Sequence, residues 1–187
     1  MSTMEQKAAI IEALVFAAET PLTIEKVGEI FPDLKRNEIV RFFQELVRQY
    51  DERQGGICIQ EVAGGFRFQT KAEMAPWIGK LKAVRPVSLS PSALETLAVV
   101  AYRQPVVKAD IDRIRGVDAG GALKGLMEKK LLRIVGRKDV PGKPIIYGTT
   151  KKFLEVFNLN SLADLPTLRE MKDLQVSDLQ DSSRGDL

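Results

Sequence analysis

The stretch Ile57-Cys58-Ile59-Gln60-Glu61-Val62-Ala63-Gly64-Gly65-Phe66-Arg67-Phe68-Gln69 decides the architecture. Two runs of strand length, Ile57–Val62 and Phe66–Gln69, flank Ala63-Gly64-Gly65, which reads as the turn of a hairpin. Working backward, Gln54-Gly55-Gly56 breaks a helix expected from Lys35 to Asp51. Pro32-Asp33 separates that helix from a shorter one, which Thr23 caps and which ends near Phe31. Glu19-Thr20-Pro21 stops a first helix from Met4 to Ala18, because proline lacks a donor and disfavours helix in the residue before it. Three helices followed by a two-stranded hairpin is the order of a winged helix. A further helix from Lys71 to Leu81 follows.

The same order recurs downstream. Ser90-Pro91 or Ser92 opens a helix, with Ser92 and Glu95 spaced as a capping box, and Leu94, Leu97, Ala98 and Ala101 fall on one helical face. Gln104-Pro105 ends it. Lys108–Arg115 is a short second helix with Ile111 and Ile114 inward, closed by Gly116 in a left-handed conformation. Asp118 caps a third helix to Lys130, with Leu123, Leu126 and Met127 inward. Leu132–Gly136 and Pro144–Thr149 are the wing strands, and Lys151–Phe157 is a last helix. The expected fold class is mainly α with small β-hairpins (α+β), as two tandem winged-helix domains at 1–82 and 90–168. A linker at 83–89 joins them, and an acidic tail at 169–187 is expected to be disordered.

Charge is segregated along the chain. Residues 1–82 carry 11 Lys and Arg against 12 Asp and Glu, residues 83–160 carry 14 against 7, and residues 161–187 carry 3 against 6. The basic middle points either to an anionic partner, nucleic acid or an acidic protein segment, or to a solvated basic surface. The sequence holds no histidine, which removes the commonest general base and zinc ligand and lowers the expectation of an enzyme sharply. Its one cysteine, Cys58, excludes an intrachain disulfide. No apolar run approaches the roughly 18 residues that span a bilayer. Met1–Glu5 carry no basic segment ahead of the first apolar stretch, so the expected compartment is the cytoplasm.

Gly136–Lys143 is glycine-rich with lysine, yet its spacing is wrong for a phosphate loop and Pro144 stands where Ser or Thr is required. Gly120, Gly121 and Gly125 cost roughly 1 kcal/mol each inside a helix. Either another backbone packs there, or the helix starts late. On the third helix, Ile39, Val40, Phe42, Phe43, Leu46, Val47 and Tyr50 span about 160°, wider than the ~100° a core stripe needs. The excess, with Phe16 beside Glu12 and Glu19, favours a self-association surface; the alternative is cover by the wing or the helix after it. Neither third helix looks like a base reader. Arg41 and Arg48 alternate with Glu38 and Glu45, and Ala119–Lys130 offers lysines but no Arg, Asn or Gln. Basic residues cluster instead at Arg133, Arg137, Lys138, Lys143, Lys151 and Lys152.

Several runs of residues resemble the segregation and condensation protein B family. They are Ala8–Phe16 and Gly64–Phe68, then Leu94–Ala98, Ala101–Pro105, Ile114–Val117, Gly136–Pro144 and Tyr147–Thr150. The resemblance spans about residues 5–168, with Lys130 where many members carry glycine. It implies a homodimer formed through the first domain and a second domain that grips a kleisin subunit of the segregation and condensation protein A type. The kleisin bridges the heads of a structural-maintenance-of-chromosomes ATPase, and DNA is met through the complex. The implied role is chromosome condensation and partition during cell division, at the nucleoid, with no catalysis, cofactor or membrane of its own. On that frame the dimer residues are expected to be Phe16, Phe42, Phe43, Leu46 and Tyr50. The kleisin contacts are expected at Arg103, Gln104, Pro105, Arg115, Gly116, Arg137, Lys138, Asp139 and Lys143. The competing reading is a winged-helix DNA-binding protein, either a regulator or a nonspecific nucleoid binder.

Overall fold

The computed structural model describes residues 3–82, 89–167 and 170, and within them the winged-helix order appears twice. The first unit runs α1 (Met4–Ala17), α2 (Ile24–Ile30), α3 (Arg36–Glu52), β1 (Ile57–Val62), β2 (Gly65–Thr70), a 3-10 turn (Ala72–Met74) and α4 (Ala75–Lys82). The second runs α5 (Pro91–Arg103), β3 (Val106–Val107), α6 (Lys108–Arg115), α7 (Gly120–Glu128), β4 (Leu132–Arg137), β5 (Ile145–Thr149) and α8 (Lys151–Phe157). The expected linker and tail lie outside the described residues except for Leu89 and Glu170.

Each helix start has a local cause. Thr3, Thr23 and Thr150 accept from backbone N–H groups of the first turns of α1, α2 and α8. At α5 the cap is Ser90, which accepts from Ala93, and the Ser92–Glu95 capping box is not formed. Glu38 reaches back to the Lys35 N–H at 2.7 Å to close the start of α3. Gly116 ends α6 with φ 71°, in the left-handed conformation that glycine adopts without a Cβ penalty.

The hairpin turn is tight. Val62 pairs with Gly65 across Ala63 and Gly64, both at positive φ (53° and 78°), the signature of a type I′ turn. Gly65 has little room for a side chain, since a Cβ there would meet the Pro21 carbonyl oxygen at 2.8 Å. Its neighbour Phe66 exchanges two backbone bonds with Leu22 (2.8 and 2.9 Å), so a segment just after α1 extends the sheet. In the second unit Val106 pairs with Tyr147 in the same way, giving the order β3-β5-β4. These short third partners have no strand-length signature in the sequence.

Burial separates into two apolar clusters, one per unit. The first centres on Ile11, Val15, Val27, Ile39, Phe43 and Leu46, the second on Leu97, Val100, Ile111, Leu123, Leu126, Tyr147 and Phe153. Two assigned faces need correction. On α5 the buried face is Thr96, Leu97, Val100 and Ala101, while Leu94 and Ala98 are exposed. On α6 only Ile111 is inward, since Ile114 is 49% exposed.

Candidate interaction surfaces

The wide apolar arc of α3 has a partner inside the first unit. Phe43 is fully buried, its ring stacked on Phe66 at 4.1 Å with a 10° interplanar angle. Leu46 is buried in the same cluster. The Tyr50 ring meets Phe68 edge-on at 4.9 Å, and its hydroxyl donates to Glu12 Oε1 at 2.5 Å. That bond, with burial, raises the phenol above its ordinary pKa of 10.0. Phe42 is half-buried. The hairpin therefore covers part of the wide arc, burying Phe43 and leaving Phe42 and Tyr50 half-buried. Phe43 and Leu46 are core residues and cannot offer their side chains to another chain.

What remains open is different. Phe16 is 78% exposed, and its ring makes a T-shaped contact with Phe68, centroids 6.0 Å apart. On α4, Trp77 and Leu81 are 65% and 83% exposed. Spaced i, i+4, they lie on one face of a short helix. These two escaped the reading of the sequence, although their spacing beside Lys80 carries the signal.

The second unit sorts its nine expected contact residues into two kinds. Gln104 is half-buried and fully engaged: its Oε1 accepts from the Thr149 N–H at 2.8 Å, and its Nε2 donates to Thr149 Oγ1 and the Ala101 carbonyl. It stitches the end of α5 to β5. The Arg115 side chain is only 6% exposed. It donates to Thr96 Oγ1 at 2.8 Å and to Glu95 Oε2 at 2.9 Å, pinning α6 to α5. Gly116 serves as the helix end. Gln104 and Arg115 thus spend their polar groups inside the unit, while Gly116 lies exposed at the end of α6.

Arg103, Pro105, Arg137, Lys138, Asp139 and Lys143 are exposed. The loop between β4 and β5 is an ordered turn. Lys138 N–H donates to the Pro144 carbonyl at 2.9 Å, Arg137 Nη1 reaches the Lys143 carbonyl, and Gly142 holds φ 82°. Among the described residues no carboxylate forms an ion pair with Arg137, Lys138 or Lys143, so their charges are offered outward beside the exposed Ile134, Val135 and Val140. Lys108 contrasts with them. It is ion-paired with both Asp112 and Asp118, which raises its pKa well above the ordinary lysine range and lowers those of both carboxylates. Among the described residues no three His, Cys, Asp or Glu side chains gather as a metal site. No helix among the described residues is long and apolar enough to cross a membrane.

This geometry defines a tandem winged-helix protein with an aromatic face on its first unit and a cationic wing on its second. The model of the family described as segregation and condensation complex subunit ScpB matches residues 9–168, which span both units, and the chain belongs to that family. The segregation and condensation protein B of Syntrophotalea carbinolica is 48% identical over 174 residues, covering 93% of this chain and 87% of that one. A homolog of the same protein from Coxiella burnetii is 40% identical over 175 residues, covering 91% and 83%. Among solved structures, a dimer of a ScpB N-terminal domain complexed with a ScpA peptide is 30% identical, with a TM-score of 0.39. It covers 43% of this chain and 99% of that one.

Proposed function

We propose that this chain is a non-enzymatic scaffold subunit of a chromosome segregation and condensation complex, working at the nucleoid. It pairs with a second copy through its first unit and holds a kleisin-type subunit through its second. Through the kleisin it serves a structural-maintenance-of-chromosomes ATPase, to which the ATP hydrolysis belongs. The observation that carries this reading is the family match over residues 9–168. The absence of histidine also supports a role without catalysis.

The contact residues are those the fold leaves available. For the dimer they are Phe16 and the half-buried Phe42 and Tyr50, joined by Trp77 and Leu81. For the kleisin they are Arg103, Pro105, Arg137, Lys138, Asp139 and Lys143. Exposed apolar residues beside the wing give that contact a component that salt does not screen.

Binding of the whole chain to a kleisin fragment and to duplex DNA, each between roughly 50 and 300 mM salt, tests the proposal. Four phosphate contacts would weaken DNA affinity about 600-fold over that range. The kleisin complex should weaken far less. Tight DNA binding without kleisin binding would instead make the protein a DNA binder.

A further inference from the structure

The turn of the first hairpin does not end in solvent. Ala63 N–H donates to the Leu159 carbonyl at 2.9 Å, and Gly64 N–H donates to Asn160 Oδ1 at 2.8 Å. The same Asn160 amide donates through Nδ2 to Glu61 Oε1 at 3.0 Å. From β2, Arg67 Nη2 donates to the Glu155 carbonyl at 3.0 Å and lies 3.4 Å from Asn158 Oδ1. These partners are about 90 residues or more apart in sequence and belong to opposite units.

Both sides are shaped for the contact. Asn158 closes α8 in the left-handed conformation, φ 56°. The segment beyond it is held by its own bonds: the Asp164 carboxylate accepts from Ser161 N–H and Asn160 N–H at 2.9 and 2.8 Å. Those donors lower its pKa. The Asn160 side chain therefore projects from a rigid base. Opposite it, Ala63 occupies a left-handed position where asparagine or glycine is the usual choice. A residue held in that region marks a site over-determined by its surroundings, and here its N–H is the donor to the other unit. Arg67 brings its cation to the C-terminal turn of α8, where the helix dipole is negative. Its buried Nε has no partner. None of these residues serves the aromatic face or the wing loop.

We infer that Glu61, Ala63, Gly64 and Arg67 form an intramolecular clasp with Glu155 and the Asn158–Asn160 turn, holding the two winged helices in one fixed arrangement. Separate units joined by a short connection move relative to each other unless an interface restrains them. The clasp supplies that restraint. It also creates a cleft of about 580 Å³ walled by Leu14, Pro21 and Ile30 from one unit and Lys151 and Glu155 from the other. Opening the clasp removes that cleft and frees the aromatic face from its set distance to the wing. The inference is independent of the partner's identity.

The test is a distance measurement on the whole chain. Spin labels are placed at Gln44 and Lys129, with Cys58→Ser, and diluted in excess unlabelled chain so that only distances within one protomer report. The parent should give one narrow distribution. Arg67→Gln with Asn160→Ala should give a broad one, because each hydrogen bond lost raises the open population about fivefold. The milder Asn160→Asp, which sets a carboxylate against Glu61, should broaden it as well, with the helical signal of both units retained. Amide exchange at Ala63 and Gly64 should quicken in the variants while exchange at Ile59 stays slow. A broad distribution in the parent, or a narrow one in both variants, overturns the clasp.

Discussion

Replacing Gln104 by alanine separates a structural role from a binding role at the end of α5. The substitution removes the acceptor for the Thr149 N–H (2.8 Å) and the donor to Thr149 Oγ1 (2.9 Å) and Ala101 O (3.2 Å). Thr149 is buried, so its N–H loses its partner with little access to water. A neutral hydrogen bond contributes about 1 kcal/mol net, and an orphaned buried donor costs about 1–3 kcal/mol. Gln104 is half-buried, so water recovers part of the loss, and about 2 kcal/mol is expected. In a unit of this size that lowers the midpoint by roughly 8–16 °C. The assay is thermal unfolding of the second unit followed by amide exchange at Thr149 and Tyr147, which isolates it from the first unit's transition. Gln104→Glu keeps the acceptor but turns a carboxylate oxygen toward the Ala101 carbonyl, so it should destabilise nearly as much. A variant that loses kleisin binding while its stability changes by less than about 0.5 kcal/mol would refute the structural assignment.

Phe43→Ala should cost about 3–5 kcal/mol, because the residue is fully buried against Phe66, and denaturation of the first unit should show it. Phe16→Ser, at an open position, should leave that stability within about 0.5 kcal/mol while shifting light scattering toward monomer; an unchanged dimer removes Phe16 from the interface. Arg137→Glu with Lys138→Glu should leave the fold intact and weaken the kleisin complex at least tenfold in a titration, since both side chains are exposed and, among the described residues, in no ion pair. Asp112 and Asp118 titrate below the ordinary carboxylate value in the folded protein, chiefly through hydrogen bonds from Lys108. The stability they add is present above the unfolded value near 4 and is lost as the pH falls through the lower folded values. Lys108→Met should flatten that acid-side loss in melting curves taken between about pH 2 and 5.

The connection between local pattern and local structure was legible residue by residue. The Ala63-Gly64 turn, the Thr23 cap, the Gly116 helix end and the repeated order of three helices and a hairpin depend on contacts within a few residues. A reading window contains all the atoms concerned. The short pairings of Leu22 with Phe66 and Val106 with Tyr147 were invisible because each joins segments about 40 residues apart.

Sequence by itself determined two winged-helix units, their order, the basic second half and the family resemblance that the match over residues 9–168 bears out. Tertiary structure decided which apolar and charged residues face outward. Phe42 and Phe43 share the apolar arc of α3, and the hairpin's Phe66 stacks on Phe43, which is fully buried while Phe42 is half-buried. Arg115 and Arg137 each stand beside a glycine, yet Thr96 and Glu95 engage the former while the latter is exposed and its side chain bonds only the Lys143 carbonyl among the described residues. Burial and hydrogen bonding are sums over neighbours brought together by the whole chain. The bond between Gly64 and Asn160, 96 residues apart, has no trace in either local stretch.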